Sequence, residues 1–217
     1  MNTKEIKKIT ERIKKLDNLD TGILIDKHDH VNQSYFINSK LAKDENEFYK
    51  RHGYDKNWDA QKQYVENLNR IMKENPKDGV VTIGSIGGDT DYGKLVAAHE
   101  LGHAYYKKNM LARNVFNLKN NNLWQTLPYI GGALAFSNPI LGASLSAIKS
   151  FPVLTDEALA SLKAKKNLKK LGEQPADGLG KAWVAYLKNE GADTLKKASI
   201  GFGSAAIMTK IDNLISQ

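Results

Sequence analysis

The sequence predicts a predominantly helical α+β fold with a small sheet, and three observations carry that reading. Most of the chain alternates apolar and charged residues with a helical period. Only three short apolar runs have the length of strands. Polar or glycine-rich stretches separate these segments. With 217 residues the chain can hold one main domain with a real core and one appended element.

The start, MNTKEIKKITERIKKLDNL, places Ile6, Ile9, Ile13 and Leu16 at helical spacing among Lys and Glu and has no continuous apolar core. It reads as an amphipathic helix docked on the domain and not as a signal peptide. Gly22 to Asp26 and Ser34 to Asn38 are short apolar runs around a polar segment, the pattern of two strands joined by a loop. His28, Asp29 and His30 fall between them. Alternate residues of a strand share a side, so this pair is a second candidate metal site, set against a simpler reading as a polar hairpin loop. Asp44 to Asn75 is charged and helical in pattern, with Phe48, Trp58, Tyr64, Leu68 and Ile71 as its buried residues; Pro76 and Gly79 close it.

Val80, Val81 and Ile83 form the third short strand, expected to offer its edge to an extended peptide. Gly84, Gly87 and Gly88 lack the Walker spacing and its Lys-Ser/Thr ending, so they read as a turn rather than a phosphate loop. Asp89, Thr90 and Asp91 then supply a helix N-terminus.

That helix, KLVAAHELGHAYYKK, carries the chemistry. His99 and His103 are four residues apart, so on a helix both imidazoles leave one face and can grip a single ion. Glu100, next to the first, can reach a water held by that ion. Zinc lowers the pKa of such a water towards neutrality, and a carboxylate then takes its proton and passes it to a leaving amine. The context supports a metal site: Leu95, Val96, Ala97 and Ala98 bury the helix, Gly102 admits another backbone, and a strand lies just upstream. The chain has no cysteine, so every ligand must be His, Asp or Glu, and no histidine follows His103. The third ligand is therefore expected among Asp156, Glu157, Glu173, Asp177, Glu190, Asp193 and Asp212. Glu157 lies near the start of an Ala- and Leu-rich helix, capped by Thr155 or Asp156 with Pro152 just before it, and would be rigidly held.

From Asn120 to Ile148 no residue is charged, and LPYIGGALAFSNPILGASLSAI is rich in small residues, as in closely packed membrane helices. Asn138-Pro139 divides the run into pieces each too short to span a bilayer. A helical hairpin follows, either dipping into one leaflet or packed on the protein. Ala198 to Thr209 has the same character and is expected to pack against it. LGEQPADGLGK reads as a loop, and the helix after it carries Trp183 and Tyr186 at core spacing. The net charge of +8 is spread as lysine pairs along helix faces. No basic stripe interleaved with aromatics accompanies it, so no specific nucleic-acid partner is expected.

AAHELGHA followed by EALASLKAKKNL resembles the gluzincin pattern, and specifically the bacterial neutral zinc metallopeptidases of the YugP type, relatives of the CAAX prenyl protease and the HtpX heat-shock protease. The resemblance covers roughly Val80 to Leu171. It implies a zincin-like core, Zn2+ as cofactor, His99, His103 and Glu157 as its ligands, and Glu100 as general base. Ser161 stands where many relatives have an Asp orienting a ligand histidine.

The expected organisation is an N-terminal helical and hairpin region over 1–78, a metal-binding core over 79–172 with the apolar insertion at 120–148, and a C-terminal helical segment over 173–217. The expected activity is zinc-dependent peptide hydrolysis of a peptide or protein substrate, in the cytoplasm or at a membrane. Tyr105, Tyr106 and Tyr186 are the candidates for stabilising the oxyanion. The competing class is a noncatalytic protein of a membrane or larger assembly with a structural or vestigial metal site.

Overall fold

In chain order the elements are α1 (Thr3–Asp17), β1 (Gly22–Ile25), β2 (Tyr35–Ile37), α2 (Asp59–Lys73), β3 (Val80–Ile83), α3 (Thr90–Lys107), α4 (Asn122–Leu134), α5 (Pro139–Ile148) and α6 (Phe151–Lys170). A further helix, α7, covers 192–202. This computed structural model describes residues 2–25, 34–40, 42–44, 47, 59–84, 90–108, 118, 121–173, 192–202 and 204–207. His28, His30, Phe48, His52, Trp58, Trp183 and Tyr186 lie outside them.

The chain forms two compact units, Met1–Met110 with Leu159–Leu179, and Leu111–Ala158 with Gly180–Gln217. Each unit is assembled from two separated stretches of chain.

In the first unit the sheet order is β1-β3-β2, with β1 parallel and β2 antiparallel to β3. This corrects two expectations. The runs at 22 and 34 are not paired with each other, because β3 lies between them. Nor can Val80–Ile83 offer an edge to a peptide, since its backbone is paired on both sides; among the described residues β1 and β2 are the outer strands. The reason is burial. All four residues of β3 are buried, and an apolar strand gains most in the middle of a sheet.

Strand alternation then sorts the side chains to two faces. Val81 and Ile83, with Ile23, Ile25 and Phe36, face a core built with α1, α3 and the later turns of α6. Val80, Leu24 and Ile37 face α2 through Leu68 and Ile71. In α1 the residues Ile6, Ile9 and Ile13 are buried, while Leu16 in the last turn is exposed. Asn2 caps the start of α1, and Asn18, in the left-handed region, ends it. Asp17 accepts from Lys163 Nζ at 2.7 Å and from Asn167 Nδ2 at 2.6 Å, which ties the end of α1 to α6. Lys94 is pulled down by burial, but Asp91 and Glu173 outweigh this and hold its pKa above the ordinary value.

In the second unit α4 and α5 form the expected hairpin. Asn138 accepts from the Leu141 amide at 3.1 Å, and Pro139 follows it at the helix start, so the sequence that breaks the first helix also begins the second. α7 packs on α4, as expected: a methyl group on Gly132 would collide with the Ala198 carbonyl, and one on Gly201 with the Tyr129 carbonyl. Among the described residues no helix is long and apolar enough to cross a membrane.

Candidate metal centre

The site begins with α3, which differs from the amphipathic α1 in being covered on nearly all sides. Leu95, Ala97, Ala98, Leu101 and Ala104 are buried, and so are the polar Glu100 and His103, at 5% and 6% exposure. A helix buried this way needs small residues where its neighbours approach. Gly102 is that point: a methyl group there would lie 2.6 Å from the Ala160 carbonyl oxygen of α6. The two backbones are in contact, and the crossing brings the following turn of α6 against the histidine face.

His99 Nε2 and His103 Nε2 are 3.2 Å apart, with the rings edge to face. Two nitrogens bound to a tetrahedral zinc at about 2.05 Å would be separated by about 3.3 Å. The spacing therefore fits two ligands of one ion. It also suits a hydrogen bond between the two rings. A carboxylate oxygen of Glu157 joins the two imidazoles so that the three donor atoms all lie within 4.8 Å of one another. A carboxylate and two imidazoles form a donor set suited to zinc. His99 and Glu157 are partly buried.

Glu157 lies on α6, four residues before Ser161. The boundary between the units falls inside α6, after Ala158. One turn on from Glu157, Ser161 is buried with its Oγ 3.2 Å from His99 Nδ1. This contact occupies Nδ1 and orients Nε2 towards the cluster. Glu100 follows His99 in α3 and is not one of the three clustered donors.

The other downstream carboxylates have different settings. Glu173 pairs with Lys94 and Arg12, and Asp193 with Lys149 and Lys197. Asp156 is buried inside α6 at 1% exposure. The helix begins at Phe151, so neither Asp156 nor Thr155 caps it; Pro152 sits within the first turn, where proline is tolerated. Asp177, Glu190 and Asp212 lie outside the described residues.

Tyr106, three residues after His103 and seven after His99, shares their side of α3. Tyr105 points elsewhere, with Lys163 Nζ 3.6 Å from its ring centroid. Sequence reasoning missed the buried Asp17, Lys163 and Asn167 group that steadies α6. No local signal marks it, because Asp17 and Lys163 are separated by 146 positions. Comparison of the chain with protein-family models, with curated proteins and with solved structures returns no match.

Proposed function

We propose that the chain is a zinc-dependent metallopeptidase of the gluzincin type, similar to the YugP-type neutral metallopeptidases. The observation that carries this reading is the convergence of His99, His103 and Glu157 from two helices, with Glu100 buried beside them.

In this reading His99 and His103 present Nε2 to the metal, Ser161 holds the His99 ring, and Glu157 supplies a compensating negative charge. Bound zinc supplies Lewis acidity, lowering the pKa of a water and polarising the scissile carbonyl. Glu100 accepts the proton of the attacking water and delivers it to the leaving amine. Its burial, at 5% exposure, keeps competing water from that carboxylate and strengthens its field. The substrate class is an unstructured peptide segment, because the scissile bond must come within reach of a buried carboxylate.

The test is Glu100→Gln, which keeps shape and removes the base. Zinc content should match the wild type, while cleavage of a mixture of unstructured peptides should fall by about a thousandfold. Cleavage at the wild-type rate by the zinc-loaded variant would overturn the proposal.

A further inference from the structure

The second unit has the reverse of the polarity that water selects. Among the described residues, every buried Ile, Leu and Val belongs to the first unit. Among its described residues, those buried in the second unit are glycines and prolines, such as Gly131, Gly132 and Pro128, and polar or charged residues, such as Ser146, Lys149 and Thr194. None of its described Ile, Leu, Val or Phe side chains is buried, and many are exposed. Ile140 is 82% exposed and Leu195 69%, and Phe136, Leu141, Ile200 and Phe202 are also exposed. A water-soluble bundle places such residues inside. Helices that pack through glycine and serine while presenting leucine, isoleucine and phenylalanine outwards match an apolar solvent.

A surface for one docked protein would be apolar on one side only. Here the exposure is on all three helices, and Leu195 and Ile200 project about 140° apart around theirs. The hydroxyls on these helices are also suited to lipid. Ser144, Ser199 and Ser204 each donate to the carbonyl four residues back, at 2.8 to 2.9 Å, so exposed serines have backbone partners without water.

Charge marks one end. Residues 121–148 and 198–207 carry none. Lys149, 4% exposed, pairs with Asp193 at 2.7 Å, and Lys197 pairs with the same carboxylate at 2.9 Å. Trp124 donates its indole N–H to the Lys149 carbonyl at this end. At the other end are the α4–α5 turn and the contact between Phe136 and Phe202, 5.7 Å between ring centroids. α4, with 13 residues, is about 20 Å long. One leaflet of hydrocarbon is about 15 Å thick. An apolar groove of about 500 Å³ lies between α5 and α7, lined by Pro139, Ala143, Ala147, Ala198 and Phe202.

We infer that α4, α5 and α7 form a monotopic membrane insert, which enters one leaflet with Phe136, Ile140 and Phe202 leading and holds Trp124, Lys149 and Lys197 at the headgroups. Among the described residues of α4, α5 and α7 and the Lys149 that follows α5, Lys149, Lys196 and Lys197 outnumber Asp193, which favours an anionic surface. The inference is independent of the metal reading.

The test is flotation of the full chain with vesicles of phosphatidylcholine and phosphatidylglycerol. Because the chain has no cysteine, Phe136→Cys and Lys196→Cys each give a unique site for a fluorophore. Wild type should float; the label at 136 should be quenched by lipids brominated in the acyl chain, and that at 196 much less. The double variant Phe136→Asp and Ile140→Asp changes exposed positions only and should keep its circular dichroism, with vesicle partitioning about a hundredfold weaker. A wild-type chain that stays below the vesicles, or a double variant that floats equally well, overturns the inference. A defined dimer that ignores vesicles also overturns it and gives the surface to a second copy.

Discussion

Ser161 does with a neutral hydroxyl what a carboxylate does more strongly, since its Oγ, 3.2 Å from His99 Nδ1, orients the ring without adding charge. Ser161→Ala should therefore weaken zinc affinity by about tenfold, read by competition with a chromogenic chelator, while Ser161→Asp should restore or exceed it. A structural role alone would lower thermal stability and leave affinity unmoved. The residue scale is also where the sequence is most readable. His99 and His103 pair through the helical period alone, because four residues return a side chain to the same face, and Glu100 is read from its place beside His99. Glu157 needed the family resemblance, since spacing left seven carboxylates open. The structure assembles that glutamate with the two histidines.

Between elements, the site depends on how α6 lies on α3. The close approach at Gly102 sets the distance, and the Asp17 carboxylate, gripping Lys163 and Asn167, fixes α6 along its length. Asp17 is 4% exposed and its partner Lys163 11%. Asp17→Ala leaves a largely buried ammonium without its counter-ion, and should cost about 3 kcal/mol in a denaturant titration. Zinc affinity should fall with it, because the helix bearing Glu157 and Ser161 loosens; unchanged affinity would show that the crossing at Gly102 suffices. Helices were legible here because each has a periodic face, as Ile6, Ile9 and Ile13 show. The sheet was less so. The runs at 22 and 34 look like neighbours, but β3 arrives some forty residues later and takes the place between them, and no local pattern encodes that order. The start of α6 is not legible locally, because Pro152 has the pattern of a residue just before a helix and yet lies in the first turn.

Over the whole molecule, one chain builds two units that bury opposite kinds of residue. The first has an aliphatic core, and the second is joined by glycine contacts and polar ties. That difference gives the second unit its own acid sensitivity. The hydrogen bond from Lys149, and then that from Lys197, hold the Asp193 carboxyl below its ordinary value of 3.8. A depressed folded-state pKa contributes stability that is fully present above the unfolded value and is lost as pH falls through the folded one. Amide exchange in α4 and α5 should therefore accelerate below about pH 4, and Asp193→Asn should show the faster exchange at neutral pH with little further change on acidification. The hairpin was legible from its missing charges and from Asn138-Pro139. The assembly of each unit from distant stretches was not, since it depends on long-range packing. The central claim is the ligand set, and elemental analysis tests it most directly, on wild type, His99→Ala and Glu157→Ala purified alike without chelator. The account predicts about one zinc per chain in wild type, lost in both variants while their circular dichroism persists. A wild-type chain that takes up no zinc after reconstitution, or a Glu157→Ala chain that holds it as tightly as wild type, would contradict it.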